Sequence, residues 1–379
     1  MLILKKYQNI NNYKILEIFM LIKSKPLEIL IQSIFNKAGC RKPEADRISQ
    51  YLVKASLVGH DSHGVIRTPR YIDMIQDGQM LANVKPKIIL ESDNFGIIDG
   101  GDGFGQTVGP YACKLGIKKA KKFGNAIVAV KNSGHLGRIG DFSEMAAAEN
   151  IISIHFVNSI AGLLVSPFGS FERRFSTNPF SAGVPIKNKK PFILDFATSL
   201  VAEGKAYVAH QGGKGIPKDA LINSKGQDTN DTSVIYGTKD PNAKSSRGGT
   251  GALKPFGLHK GSGLSFLCEF LAGALTGSGM GRDDPSKPFR NGMLSIYIKP
   301  EKYVNQNDYE KEIKRYIKFF KSAKPIEEGN EILMPGEKEV INQKDRLKNG
   351  IPLSKITWQA IISTAKSLKI DEKIINKCL

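Results

Sequence analysis

The sequence predicts an α/β fold with a largely parallel sheet, and three observations carry that expectation. Short apolar, β-branched runs alternate with stretches of helical periodicity from Pro26 onward. Glycine-rich polar turns follow two of those runs, at 100–105 and 131–137. The chain has 379 residues, 41% apolar and 24% charged, which is enough to bury a large core. That composition excludes a disulfide-stapled mini-protein, a coiled coil and a disordered tail.

The elements follow in order. Residues 1–24 read as an extension outside the main fold, with Met20 an alternative start. Ile15 to Ile22 is apolar but interrupted by Glu17, and far too short to cross a bilayer. The polar stretch 8–12 before it, with no small-residue cleavage site after it, argues against a signal peptide. Leu27, Ile29, Leu30 and Phe35 lie on one helical face, and Pro43 leads a second helix from Glu44 to Leu57. The polar turn His60-Asp61-Ser62-His63-Gly64 precedes Arg67 and a short helix to Gln76. Phe95 to Ile98 is a strand that runs into Gly100–Gly105, with a helix to Phe123. Ala126 to Val130 is a strand, 131–137 its loop, Asp141 to Glu149 a helix, and Ile151 to Val157 the next strand. Residues 159–190 and 205–255, rich in Gly, Pro and polar residues, read as long loops and hairpins. Gly263 to Leu275 is an apolar helix carrying a single Glu269. No internal repeat is visible.

The formal net charge is +19, from 55 basic and 36 acidic side chains. A nucleic-acid binder concentrates such charge on one stripe, often interleaved with aromatics. Here the clusters at 118–122, 187–190 and 311–324 are scattered, so no nucleic-acid partner is expected; the field favours small anions instead. Cys40, Cys113, Cys268 and Cys378 lie far apart with no CxxC pair. That suits a reducing, cytoplasmic setting rather than a disulfide framework or a zinc site.

Several segments carry candidate chemistry. Gly101, Gly103 and Gly105 give G-x-G-x-G, but the third glycine of the dinucleotide fingerprint is replaced by Gln106. The acidic residue expected about 20 positions on falls in the basic 118–122 run, so a standard Rossmann site is not expected. His60, Asp61 and His63 could ligate a metal, yet no nearby ligand completes the set, and no metal is expected. Ser62 and His63 could instead form a relay, with Asp61 and Ser62 equally able to cap a helix. Arg67 offers a planar fork for a carboxylate. His135 follows a strand end between Gly134 and Gly137, where a histidine can exchange a proton with a carbonyl oxygen or simply bond to the loop backbone. His155, in an apolar strand, reads as a satisfied core histidine. Thr177 and Asn178 are substrate contacts or turn formers before Pro179. Lys260, beside Gly257 and Gly261, would suit an anion at a helix start, or the segment is a tight turn.

The order of six blocks is more specific than any of them alone: GHDSHGVIRTPRYIDMIQDGQM (59–80), DGGDGFGQTVG (99–109), VKNSGHLGRIGDFSEMAA (130–147), RRFSTNPFSAGVP (173–185), LDFATSLVAEGK (194–205) and LKPFGLHKGSGLSFLCEFLAG (253–273). Together with MPGEKE (334–339) and GIPL (350–353), they resemble the type-2 malate/L-lactate dehydrogenases. That family also holds sulfolactate and ureidoglycolate dehydrogenases and piperideine-2-carboxylate reductases. The resemblance runs from Pro26 to the C-terminus.

The resemblance implies a sulfolactate-dehydrogenase-like mixed sheet with flanking helices instead of a Rossmann fold. Residues 25–95 would pack with 275–379, and 96–274 would form a central cofactor-binding α/β domain. It implies a homodimer, with no membrane or nucleic-acid partner, that uses NAD or NADP to move a hydride at C2 of a small 2-hydroxy or 2-oxo acid. A cyclic imino-acid reductase is the alternative inside the family, and a metal-dependent hydrolase at 60–63 the remote one. By motif match, His135 would exchange the proton, with Ser62 and His63 the rival pair. Arg67 would hold the substrate carboxylate, with Thr177 nearby. His135, Leu136, Gly137, Arg138, Ile139, Asp195, Phe196, Ala197 and Lys260 would line the cofactor site, and Gly336 and Glu337 would touch it. Three departures bear on substrate identity. Glu203 stands where members often have a basic residue, 217–220 lacks an aromatic, and 257–261 reads Gly-Leu-His-Lys-Gly.

Overall fold

The computed structural model describes residues 19–210, 215–237, 247–282 and 289–378. Strand β1 (Phe19–Ile22) precedes helices Ser24–Lys37 and Lys42–Leu57. These two helices pack together through Leu27, Leu30, Ile31, Ile34, Ile48 and Leu52, all buried. Each such aliphatic side chain contributes about 1.5–3 kcal/mol by leaving water. Their cluster continues into Trp358 and Ile361 of helix Lys355–Ser367, so the two ends of the chain share one core.

Strands β2 (Lys87–Glu91), β3 (Phe95–Asp99), β4 (Asn125–Ser133), β5 (Ile152–Ser159), β6 (Phe180–Val184) and β7 (Phe192–Phe196) belong to a seven-stranded sheet. Strands β8 (Leu221–Ile222), β9 (Asp228–Thr229) and β10 (Ala252–Leu253) form a small separate sheet. Strand β11 (Asn291–Ile298) enters the large sheet between β4 and β5, in the order β2-β3-β4-β11-β5-β6-β7, and β12 (Ile351–Ser354) pairs with β1. Helices Gly105–Phe123 and Gly140–Ala148 contribute to the core that covers the sheet, with Val108, Ala112, Phe142 and Ala146 meeting Val128, Val130 and Tyr297.

The mixed sheet implied by the family resemblance is what forms; the largely parallel sheet expected from alternation is not. Only β3 and β4 pair in parallel; the five other ladders are antiparallel. The reason is β11. Strands β4 and β5 both run antiparallel to it and hence point the same way, as the intervening helix requires, but they are not neighbours. A strand buried on both faces reads as a continuous apolar run whichever direction its neighbours take, so the pattern could not reveal the insertion.

Two segments sit differently from their sequence assignment. Phe19–Ile22, placed in the extension, pairs with Ile351–Ser354 and belongs to the fold; residues 1–18 lie outside the described residues. Residues 291–298, grouped with the terminal helices, stand in the middle of the central sheet. The apolar helix expected from Gly263 begins earlier, at His259, and from Glu269 to Ala274 widens into a π-helical turn.

Candidate active site

The loop from Ser133 to Ile139 leaves the end of β4 and turns into helix Gly140–Ala148. It passes so close to the start of helix Gly105–Phe123 that a Cβ on Gly105 would lie 2.2 Å from the His135 carbonyl oxygen and 2.4 Å from Leu136 Cα. The glycines of the 100–105 stretch thus seat this loop: Gly134 N–H also donates to the Gly103 carbonyl at 2.8 Å. Gly137 adopts φ +77°, a left-handed turn that a side chain would strain. Asn291, at the start of β11, accepts from Leu136 N–H at 3.0 Å and fixes the loop from the sheet side.

His135 is held on one nitrogen only. Its Nδ1 lies 2.6 Å from Tyr71 Oη, and the Gln106 amide donates to the same phenol oxygen at 3.2 Å. With the amide donating, the phenol proton is left for Nδ1, which puts the ring proton of His135 on Nε2. Nε2 has no hydrogen-bond partner among the described residues, and the side chain lines a cleft of about 2500 Å³. His63 stacks on it, centroids 5.3 Å apart and planes 16° from parallel. His63 Nδ1 is buried without a partner among the described residues. Burial, and after it the nearby Arg67, pushes the His135 pKa down to about 3. Burial, then His135 and Arg67, lowers His63 well below its ordinary value. Both rings are therefore neutral at pH 7.

Ser62 lies beside this pair, but no hydrogen bond joins its hydroxyl to His63 among the described residues. Its carbonyl accepts from Arg67 Nε at 2.6 Å, which fixes the guanidinium at the cleft wall. Arg67 Nη2 is 3.9 Å from Glu203 Oε2. Glu203 in turn accepts from Arg247 Nε at 2.8 Å and Nη2 at 2.6 Å. Burial alone would raise the Glu203 pKa; Arg247 and then Arg67 outweigh it and hold the carboxyl below its usual range. Thr177 also lines the cleft, and its carbonyl accepts from Thr198 N–H at 2.9 Å. Next to it Asn178 Nδ2 donates to Glu269 Oε1 at 2.8 Å. Glu269, the lone acid of an apolar helix, is the buried anchor of the Thr177 loop and also accepts from Asn158 and Gly281.

Asp195, Phe196 and Ala197 line the same cleft with Leu136, Gly137 and Ile139. Asp195 accepts from Gly140 N–H at 2.8 Å, and burial raises its pKa against the pull of His60 and Arg138. Arg138 is turned inward, its side chain 1% exposed, bonded to Asp141 at 2.9 Å and Glu144 at 2.8 Å. Its Nε and Nη2 are buried without a hydrogen-bond partner among the described residues, and its side chain does not line the cleft.

Besides Arg138, three expected cofactor contacts stand apart from the cleft wall. Lys260 is exposed at the start of helix His259–Cys268. Gly336 packs on the backbone of Pro191 and Ile193, and Glu337 pairs with Lys321 at 2.6 Å. Their neighbours Lys338, Glu339 and Asn342 line the cleft instead. His60, Asp61 and His63 take separate partners, namely Glu339 at 3.0 Å, Arg346 at 3.1 Å and the His135 ring. Among the described residues no three His, Cys, Asp or Glu converge as a metal site.

The arrangement offers a neutral proton donor, a fixed guanidinium and a cleft far larger than a three-carbon acid needs. Typical small-molecule sites occupy ~300–1,000 Å³, so there is room for a long cofactor beside the substrate. The family model for malate/L-lactate dehydrogenase matches residues 22–362. Hydroxycarboxylate dehydrogenase B of Escherichia coli is 35% identical over 353 residues, covering 92% of this chain and 94% of its own. Among solved structures, malate dehydrogenase from Pyrococcus horikoshii matches with a TM-score of 0.81 at 30% identity, over 93% of this chain and 97% of that one. Sulfolactate dehydrogenase from Methanocaldococcus jannaschii matches with 0.80 at 31%, over 93% and 99%.

Proposed function

Because the chain belongs to the malate/L-lactate dehydrogenase family, we propose that it is an NAD(P)-dependent oxidoreductase that moves a hydride between nicotinamide and C2 of a small 2-hydroxy or 2-oxo acid. The observation that carries this reading is the His135 ring, neutral, fixed through Nδ1 and free at Nε2, in one cleft with Arg67. Arg67 takes the substrate carboxylate on the edge of its guanidinium that Ser62 leaves open. His135 then holds its Nε2 proton against the C2 oxygen. As hydride reaches C2, that proton passes to the oxygen while Nδ1 takes the Tyr71 phenol proton. The phenolate, held by the Gln106 amide, is re-protonated from solvent in the cleft, and the reverse direction runs the same transfers backwards. A bound nicotinamide supplies or accepts the hydride. His135, Leu136, Gly137 and Ile139 would hold it with Asp195 to Ala197, and Leu136, Ile139 and Phe196 would keep water from the reacting carbon.

The protein works as a cytoplasmic homodimer on this reading. Exposed Phe266, Leu267, Phe270 and Leu275 form an apolar face suited to a second copy. The four cysteines are buried and unpaired, as in a reducing compartment. Oxidation of NADH and of NADPH, followed with pyruvate, oxaloacetate and piperideine-2-carboxylate, tests the proposal. Turnover of a 2-oxo acid is expected, turnover of the cyclic imine alone would favour the imino-acid reductase, and no oxidation of either cofactor would contradict both.

A further inference from the structure

Besides the histidine pair, the cleft holds an ionised carboxylate between two arginines. Glu203 Oε1 takes two N–H groups of Arg247, and Oε2 faces Arg67 at 3.9 Å. We propose that Glu203 is a specificity-determining residue: it occupies the place of a second acidic group and so selects 2-oxo acids with one acid over those with two. This rests on the oxidoreductase reading above.

Three features support it. First, the segment that carries Glu203 is fixed against the site. Helix Glu203–His210 is pressed on the Ser62 segment so closely that a Cβ on Gly204 would lie 2.3 Å from Ser62 Cβ. Second, Arg247 is the cation that a second substrate anion would need, and Glu203 already holds it through both Nε and Nη2. Third, the other guanidiniums along the cleft are engaged or at its rim: Arg346 holds Asp61, Arg174 holds Glu172, Arg173 donates to the Gly249 and Gly251 carbonyls, and Arg70 and Arg282 are exposed. An incoming monocarboxylate needs only the open edge of Arg67, whose Nη2 is too far from Glu203 for a hydrogen bond. A dicarboxylate or sulfonate would have to displace Glu203 from Arg247 and then lie against a like charge. Repulsion of this kind is how a site rejects a close relative of its ligand.

The test is kcat/KM for pyruvate and for oxaloacetate in the wild type and in Glu203→Gln, with whichever reduced cofactor is accepted. The wild type should favour pyruvate, and Glu203→Gln should move the ratio toward oxaloacetate by at least about tenfold, mainly through a lower KM for the dicarboxylate. A ratio that stays within about threefold of the wild type, or moves the other way, overturns the assignment while the oxidoreductase reading stands. A wild type that turns over no 2-oxo acid overturns both. Should Glu203→Gln fail to fold, the wild type decides alone: preference for oxaloacetate over pyruvate overturns the assignment, and preference for pyruvate supports it.

Discussion

His135 in the cleft and His155 in the central sheet have been driven to the same charge state by the same cause. Burial lowers each to about 3, so each is a neutral imidazole at pH 7. They differ in what happens to the second ring nitrogen. His155 is bonded at both, Nδ1 to Ser295 Oγ at 2.8 Å and Nε2 to Ser153 Oγ at 3.1 Å, between the rings of Phe142 and Tyr297. Among the described residues His135 is bonded at Nδ1 alone, and its neighbour His63 keeps a buried Nδ1 without a partner. A lowered pKa therefore does not mark a working histidine. What sets His135 apart is an unfilled nitrogen at the wall of a cleft, where a ligand can complete an unmet polar group.

The largest effect expected from this contrast is on turnover. His135→Ala should lower kcat by roughly 10²–10⁴-fold, the span of general acid–base catalysis, in steady-state assays with a 2-oxo acid. The opposite change, His155→Ala, should leave kcat per folded molecule nearly unchanged. It would strand two buried hydroxyls and open a cavity, costing about 2–4 kcal/mol in urea unfolding. Arg67→Lys should raise KM for the substrate about tenfold with a smaller change in kcat, since a point charge replaces the fork. Tyr71→Phe should reduce kcat by up to about tenfold, matching one lost hydrogen bond, and should alter the pH profile because the Nδ1 partner that fixes the tautomer is gone.

Stability should also depend on pH through these rings. Unfolded histidines bind protons from about pH 6.5 downward, whereas His63, His135 and His155 resist protonation in the fold. The unfolded state then binds more protons, so stability is fully present above about pH 6.5 and declines as pH falls toward about 3. Urea midpoints across that window should show the decline, and His155→Gln should make it shallower.

Much of this contrast was readable in the chain. His155 declares itself by sitting in an apolar strand, and His135 by following a strand end between glycines. Arg67 and His63 are fixed by their spacing within one block. What could not be read are the contacts that close only in three dimensions. Tyr71 lies four residues past Arg67 with nothing local to tie it to His135. Gln106, which spoils the dinucleotide fingerprint, is the residue that donates to Tyr71, while Gly105 lets the His135 loop pass. The charge at Glu203 is visible in sequence; its grip on Arg247, 44 residues away, is not. In the fold, local periodicity located the helices and strands from Phe95 to Ser159 and the apolar helix near 259–274 but did not place β6 to β10. The entry of β11 between β4 and β5 joins segments more than 130 residues apart, which no local pattern encodes.

The most direct test sets the two histidines side by side. Oxidation of NADH or NADPH by the wild type, His135→Ala and His155→Ala is measured with the same 2-oxo acid at pH 7, each rate normalised to the folded fraction. The wild type and His155→Ala should turn over at rates within about threefold of each other, and His135→Ala at least about a hundredfold more slowly. Equal loss in the two variants, or an undiminished rate in His135→Ala, would contradict the assignment of the free Nε2 as the group that exchanges the proton.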